Sequence, residues 1–171
     1  LKNSYVLASE TCALDIIGAK YIRDVENGEI VLIKNNNFES IKPFPKQKVR
    51  PCDFEYIYFS RPDSILEGRN VYDVRKSIGH QLAAENPEDN KIIDVVIPIP
   101  DSGNASALGY SEKIKKPFEF GIIRNHYTGR TFIEDSISVR NLSVKLKHNP
   151  NILSFKEKNI ALVDDSIVRG T

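Results

Sequence analysis

A short apolar run, Ile160-Ala-Leu-Val163, carries the chain directly into two adjacent carboxylates, Asp164 and Asp165, and then into Ser166-Ile-Val-Arg-Gly-Thr171. Unbroken apolarity over a few residues fits a strand buried on both faces, as in the parallel sheets of α/β folds. Such sheets bind ligands beyond the carboxyl ends of their strands. Asp164 and Asp165 thus stand where a sugar hydroxyl or a hydrated cation would arrive. Ser166, Gly170 and Thr171 add hydroxyl and backbone N–H donors suited to a phosphate. The plainer reading is a helix N-cap after a strand. A cap needs a single oxygen, and it leaves the second acid, Arg169 and the Gly-Thr pair without a role.

Upstream, strands and helices alternate. Val71, Val74, Ile78 and Leu82 fall on one helical face, in a helix ending near Asn86-Pro87. A strand over 92–97, a helix near 104–115, a strand over 118–123, a long loop, a helix near 137–147 and the strand 160–163 follow. That order predicts a parallel sheet with right-handed crossovers. Residues 1–60 read differently, as β-rich with one short helix. Tyr5 to Ala8 is strand-like, and Thr11 N-caps a turn through Ala13, Ile16 and Ile17 that ends at Gly18. Tyr21–Val25 and Ile30–Ile33 read as a hairpin around Asn27-Gly28, and Phe54–Phe59 as an aromatic strand.

Bulk properties exclude several classes. Lys plus Arg is 24 and Asp plus Glu is 23, so a net charge of +1 gives no electrostatic case for nucleic acid. The longest apolar stretch, Ile92 to Pro100, is interrupted by Asp94 and two prolines and is too short to span a membrane. The opening Leu-Lys-Asn-Ser is no secretory signal. Two cysteines, Cys12 and Cys52, make no disulfide framework and fit a reducing cytoplasm.

Two further loops could do chemistry. In Ile97-Pro-Ile-Pro-Asp-Ser-Gly103 the prolines end a strand and Gly103 permits close backbone approach; taken alone, it reads as a tight turn before a helix. In Arg124-Asn-His-Tyr-Thr-Gly-Arg-Thr131, Arg124 and Arg130 could clamp pyrophosphate bidentately and Gly129 could act as a hinge; taken alone, it is a solvated loop. Cys12, His80 and His148 read as structural or solvated, and Lys113, Lys115 and Lys116 as a solvated helix end.

Val163-Asp-Asp-Ser-Ile-Val-Arg-Gly-Thr171 resembles the phosphoribosyl pyrophosphate (PRPP) signature of type I phosphoribosyltransferases, and within them the glutamine PRPP amidotransferase (amidophosphoribosyltransferase) family. Ala8–Asp15, Tyr56–Asp63, Pro100–Gly103 and Asn125–Ile133 resemble other segments of that family, in the same order. The resemblance implies the end of an N-terminal-nucleophile glutaminase α/β sandwich over 1–60. It implies the first part of a truncated type I phosphoribosyltransferase parallel sheet over 61–171. It also implies an enzyme that transfers glutamine-derived ammonia to C1 of PRPP, giving 5-phosphoribosylamine, pyrophosphate and glutamate.

By the same resemblance Asp101, Ser102 and Gly103 hold pyrophosphate, and Ser102, Asp164 and Asp165 bind Mg²⁺. Asp164 and Asp165 also take the ribose hydroxyls, while Ser166, Arg169, Gly170 and Thr171 take the 5-phosphate. Arg124, Tyr127 and Arg130 lie in or beside a loop that closes over PRPP, with Tyr127 and Arg130 catalytic; His126 departs from the Arg that the family pattern carries. Cys52 matches a ligand of a [4Fe–4S] cluster in one branch, which needs four thiolates. The family implies a homo-oligomer. Its glutaminases use an N-terminal Cys, whereas position 1 is Leu; the nucleophile is expected to precede Leu1, and the fragment alone is expected to be inactive. The alternatives are a nucleobase phosphoribosyltransferase and a non-catalytic PRPP-sensing regulator.

Overall fold

The computed structural model describes residues 4–127 and 144–167. They form two compact units, Leu1–Val71 and Tyr72–Thr171. In the first, α1 (Thr11–Ile16) ends ahead of Gly18, whose φ of +64° lies in the left-handed region that glycine enters freely. Thr11 opens the helix without capping it; its hydroxyl oxygen instead accepts the Ile65 N–H at 2.8 Å. Glu10 works alongside, accepting from the Ser64 hydroxyl and the Arg61 N–H at 2.8 Å each. The Ser-Glu-Thr segment is thereby tied to the Arg61–Ile65 turn, which leads into the two-residue ribbon β3 (Ile65–Leu66) and β4 (Arg69–Asn70).

The hairpin lies one turn later than the sequence suggests. β1 (Ile30–Lys34) pairs antiparallel with β2 (Asn37–Ile41) around Asn35-Asn36, which have φ of 51° and 59°. Two consecutive left-handed residues make the turn that matches strand twist, and Asn tolerates that conformation. Asn27-Gly28 does form a turn, but Tyr21–Val25 is not a strand, and neither is Tyr5–Ala8. Phe54–Phe59 is not a strand either. Glu55–Phe59 is a π-helical turn closed by the Ser60 N–H on the Glu55 carbonyl (3.1 Å), with the Ser60 hydroxyl on the Glu55 carboxylate (2.7 Å). Its aromatic composition suits a strand, but among the described residues it has no strand partner.

The second unit is built on β5 (Val95–Pro98), whose Val95, Val96 and Ile97 are at most 1% exposed. Burying such side chains contributes about 1.5–3 kcal/mol each as an upper figure. β5 pairs in parallel with β8 (Ile160–Val163) on one edge and bridges Phe118 in parallel on the other. Asp94 explains its place in an apolar run: its carboxylate accepts the Asn159 backbone and side-chain N–H groups at the start of β8. The expected strand 118–123 is split, since β6 (Ile122–Arg124) turns away to pair antiparallel with β7 (His148–Pro150). Of the expected helix near 137–147, residues 144–147 are helical and the rest lies outside the described residues.

α2 (Val71–Glu85) and α3 (Asn104–Ile114) match the expected helices. The buried face of α2 does not. It runs through Val71, Arg75, Gly79 and Ala83, while Ile78 and Leu82 are 41% and 42% exposed. Close backbone approach decides this. A β-carbon on Gly79 would collide with the Ser106 carbonyl of α3, and one on Gly109 with the Lys76 carbonyl of α2. The helices meet through their smallest residues, and the bulky stripe is displaced to the flank. Ala83, Ile93, Val96, Ala107, Tyr110 and Val163 form the core between helix and sheet. Among the described residues no helix is long and apolar enough to cross a membrane.

Candidate active site

Parallel pairing of β5 and β8 brings their carboxyl ends to one edge, where each strand opens into a polar loop. The Ile99 N–H donates to the Val163 carbonyl at 2.8 Å, so the two loops start side by side. Gly103 lies under the same carbonyl; a β-carbon there would also stand 2.9 Å from the Ile99 carbonyl. That approach lets the Ser102 hydroxyl reach Asp164 Oδ1 at 3.5 Å. Asp164 Oδ1 also accepts the Asp165 N–H at 2.8 Å, and Asp165 Oδ1 accepts the Ser166 hydroxyl at 2.6 Å. Ser102, Asp164, Asp165 and Ser166 therefore share one edge of hard oxygen donors.

Asp164 remains solvent-accessible by area, yet the surrounding protein desolvates its carboxylate and raises its pKa, and repulsion from Asp165 adds to the rise. The Asp165 N–H, the Ser102 hydroxyl and the positive field of His148 oppose that shift. A desolvated acid beside a second acid is a place where a cation is favoured. The described residues hold no group of three or more His, Cys, Asp or Glu able to enclose a metal by themselves. Mg²⁺ sites commonly use one or two carboxylates and complete their shell with water and substrate phosphates, so the oxygen set at this edge suits that ion.

The β6–β7 ribbon forms the third side. Arg124, on β6, pairs with the Asp101 carboxylate, and its Nε is buried without a protein partner. His148 stands directly opposite Arg124 in the ribbon register. Burial and the neighbouring Lys147 push its pKa down. The sequence reading gives His148 a structural or solvated role; the cross-strand register, which no local pattern reveals, sets it beside Arg124.

Of the other expected residues near the site, Tyr127 is not drawn in. Tyr127 is fully exposed, with its N–H on the Asn125 side chain at 3.0 Å. Arg130 and Gly129, with Arg169, Gly170 and Thr171, lie outside the described residues. In the first unit Cys52 is an exposed free thiol, and Cys12 is buried near Glu10. That unit also holds a cleft of about 980 Å³ lined by Tyr5, Leu14, Tyr21, Val31 and Phe38 among others, with none of the strand-tip residues on its walls.

No family model matches the chain. Among curated proteins, the amidophosphoribosyltransferase of Rhizobium etli is 54% identical over 97% of this chain and 34% of its own length. That of Methanothermobacter thermautotrophicus is 46% identical over 99% of this chain and 35% of its own length. Among solved structures, the glutamine PRPP amidotransferase of B. subtilis, complexed with ADP and GMP, superposes with a TM-score of 0.83 at 43% identity, covering 95% of this chain and 35% of that one. The structure of the allosteric regulatory enzyme of purine biosynthesis gives 0.84 at 44% identity, over 95% of this chain and 34% of that one. The chain spans about a third of the length of each relative. Over nearly all of its 171 residues, it is homologous to part of the amidophosphoribosyltransferases.

Proposed function

We propose that this protein is an amidophosphoribosyltransferase, with the β5–β8 edge as its PRPP site. The observation that carries the reading is the meeting of Ser102 and Asp164 across two loops that begin at neighbouring parallel strand ends. Asp164 and Asp165 accept the ribose hydroxyls and, with Ser102, hold Mg²⁺. The 101–103 turn receives the pyrophosphate, and Ser166 starts the 5-phosphate loop, which continues through Arg169, Gly170 and Thr171. The loop carrying Tyr127 and Arg130 covers the site and limits hydrolysis at C1.

In the reaction the ammonia lone pair forms the C1–N bond. The C1–O bond to pyrophosphate breaks, its electron pair leaves with the pyrophosphate oxygen, and the new amine releases a proton. Positioning and charge neutralisation carry most of such a step; when bound, Mg²⁺ neutralises charge on the departing pyrophosphate. The ammonia comes from glutamine through the glutaminase half, of which residues 1–60 form part in this reading, in a four-layer sandwich and a homo-oligomeric protein. Cys52 can give a [4Fe–4S] cluster one of its four thiolates, and no step depends on it.

The nucleobase-transferase and PRPP-sensor alternatives have no observation in their favour. The test is turnover by the full-length protein with Mg²⁺, PRPP and ammonium. Release of one pyrophosphate per phosphoribosylamine is expected, and absence of amine-dependent pyrophosphate release would refute the reading.

A further inference from the structure

Arg124 already holds an anion. Its Nη1 donates to Asp101 Oδ2, pairing β6 with the turn between β5 and α3. The base of this arginine is fixed: β6 pairs with β7 from Ile122 to Arg124, and the Asn125 N–H donates to the Lys147 carbonyl at 2.7 Å. Its far end is within reach of solvent, since the Arg124 and Asp101 side chains are 36% and 54% exposed. Arg124 Nε, in contrast, is buried without a partner among the described residues, so the carboxylate satisfies the guanidinium only in part. The geometry points to Asp101 as an internal counter-ion, which holds Arg124 until the pyrophosphate of a ligand takes its place.

The inference rests on the PRPP reading above, which brings pyrophosphate to the 101–103 turn, and adds to it a control on affinity at that turn. A guanidinium fork fits carboxylate and phosphate oxygens alike, so Asp101 and pyrophosphate compete for the same donors. An acid within a turn that receives a polyanion also repels it. Competition lowers the apparent affinity by the fraction of time that Arg124 is engaged. The same contact favours release, because Asp101 recaptures the arginine as pyrophosphate departs. Ion pairs this exposed are weak, so the exchange is easy and its effect on affinity is modest.

The test is isothermal titration of inorganic pyrophosphate, without divalent metal and at fixed ionic strength, into the full-length protein. Asp101→Asn is expected to bind pyrophosphate roughly three- to tenfold more tightly than wild type. Arg124→Gln is expected to bind on the order of tenfold more weakly. Adding Asp101→Asn to Arg124→Gln is expected to recover little, since the two act through one contact. Should Asp101→Asn fold poorly, Asp101→Ser makes the same comparison. Pyrophosphate binding by Asp101→Asn that is undetectable or no tighter than wild type would overturn the inference. So would an equal gain in the Arg124→Gln background, which would show charge repulsion alone. Either result leaves the PRPP reading intact if the wild type binds Mg-PRPP; a wild type that does not bind it overturns both.

Discussion

Gly103 lies so close beneath the Val163 carbonyl oxygen that a β-carbon on it would overlap that oxygen. The carbonyl is already committed to the Ile99 N–H at 2.8 Å, so it cannot retreat without breaking the contact that joins the two loops. Gly103→Ala is therefore expected to cost about 1–3 kcal/mol, the usual cost of overpacking. Urea unfolding of the wild type and the variant measures it, and PRPP affinity is expected to fall in parallel.

The contact between α2 and α3 makes a similar demand. Replacing a helix-interior glycine by alanine ordinarily gains up to about 1 kcal/mol. At Gly79 the new methyl would meet the Ser106 carbonyl, and at Gly109 the Lys76 carbonyl, both backbone atoms. Each substitution is expected to destabilise by about 1–3 kcal/mol despite the better helix former. A rise in melting temperature for either variant would show that the helices do not pack this way.

Glu29 organises the first unit's hairpin. Its carboxylate accepts from Arg23 Nη1 and Nη2 at 2.9 and 2.7 Å, from the Ser40 hydroxyl at 2.5 Å and from the Glu26 N–H at 2.7 Å. Arg23 first, then Ser40 and the Glu26 N–H, hold its pKa far below the ordinary glutamate range. A depressed carboxylate contributes stability that is complete above the unfolded pKa and declines as pH falls towards the folded one. Thermal melts of Glu29→Gln should fall below wild type at pH 7, with the gap closing steadily below about pH 4.5.

These elements also show how far the sequence could be read. Apolar runs at 92–97 and 160–163 marked two strands, and both form, the first over Val95–Pro98, paired in parallel as the alternation of elements requires. The Asp164-Asp165 pair stood out because polar residues crowd that strand end, whereas Ser102 and Gly103, a tight turn when taken alone, stood out only through the family resemblance. The aromatic run Phe54–Phe59 misled, since β-propensity reports fit to a pleated surface and among the described residues it has no partner strand. The packed face of α2 was misread because Gly79 contributes no hydrophobicity, only the absence of a side chain. His148 was illegible for a different reason: its neighbour Arg124 is far away along the chain, and antiparallel register alone joins them.

The strand-tip acid should also leave a mark on stability. Desolvation raises the Asp164 pKa, followed by repulsion from Asp165. A raised folded pKa means stability that is present below the unfolded pKa and lost as pH rises through the folded one. Asp164→Asn is therefore expected to melt higher than wild type at pH 7 without ligand, with the advantage shrinking below about pH 4. Differential scanning calorimetry across that range checks the sign.

The most direct measurement is isothermal titration of Mg-PRPP into the full-length protein carrying Asp164→Ala. Removing one charge-assisted contact costs on the order of 1.5–3 kcal/mol, so affinity should weaken at least about tenfold. Binding as tight as wild type would contradict the assignment of the β5–β8 edge as the PRPP site.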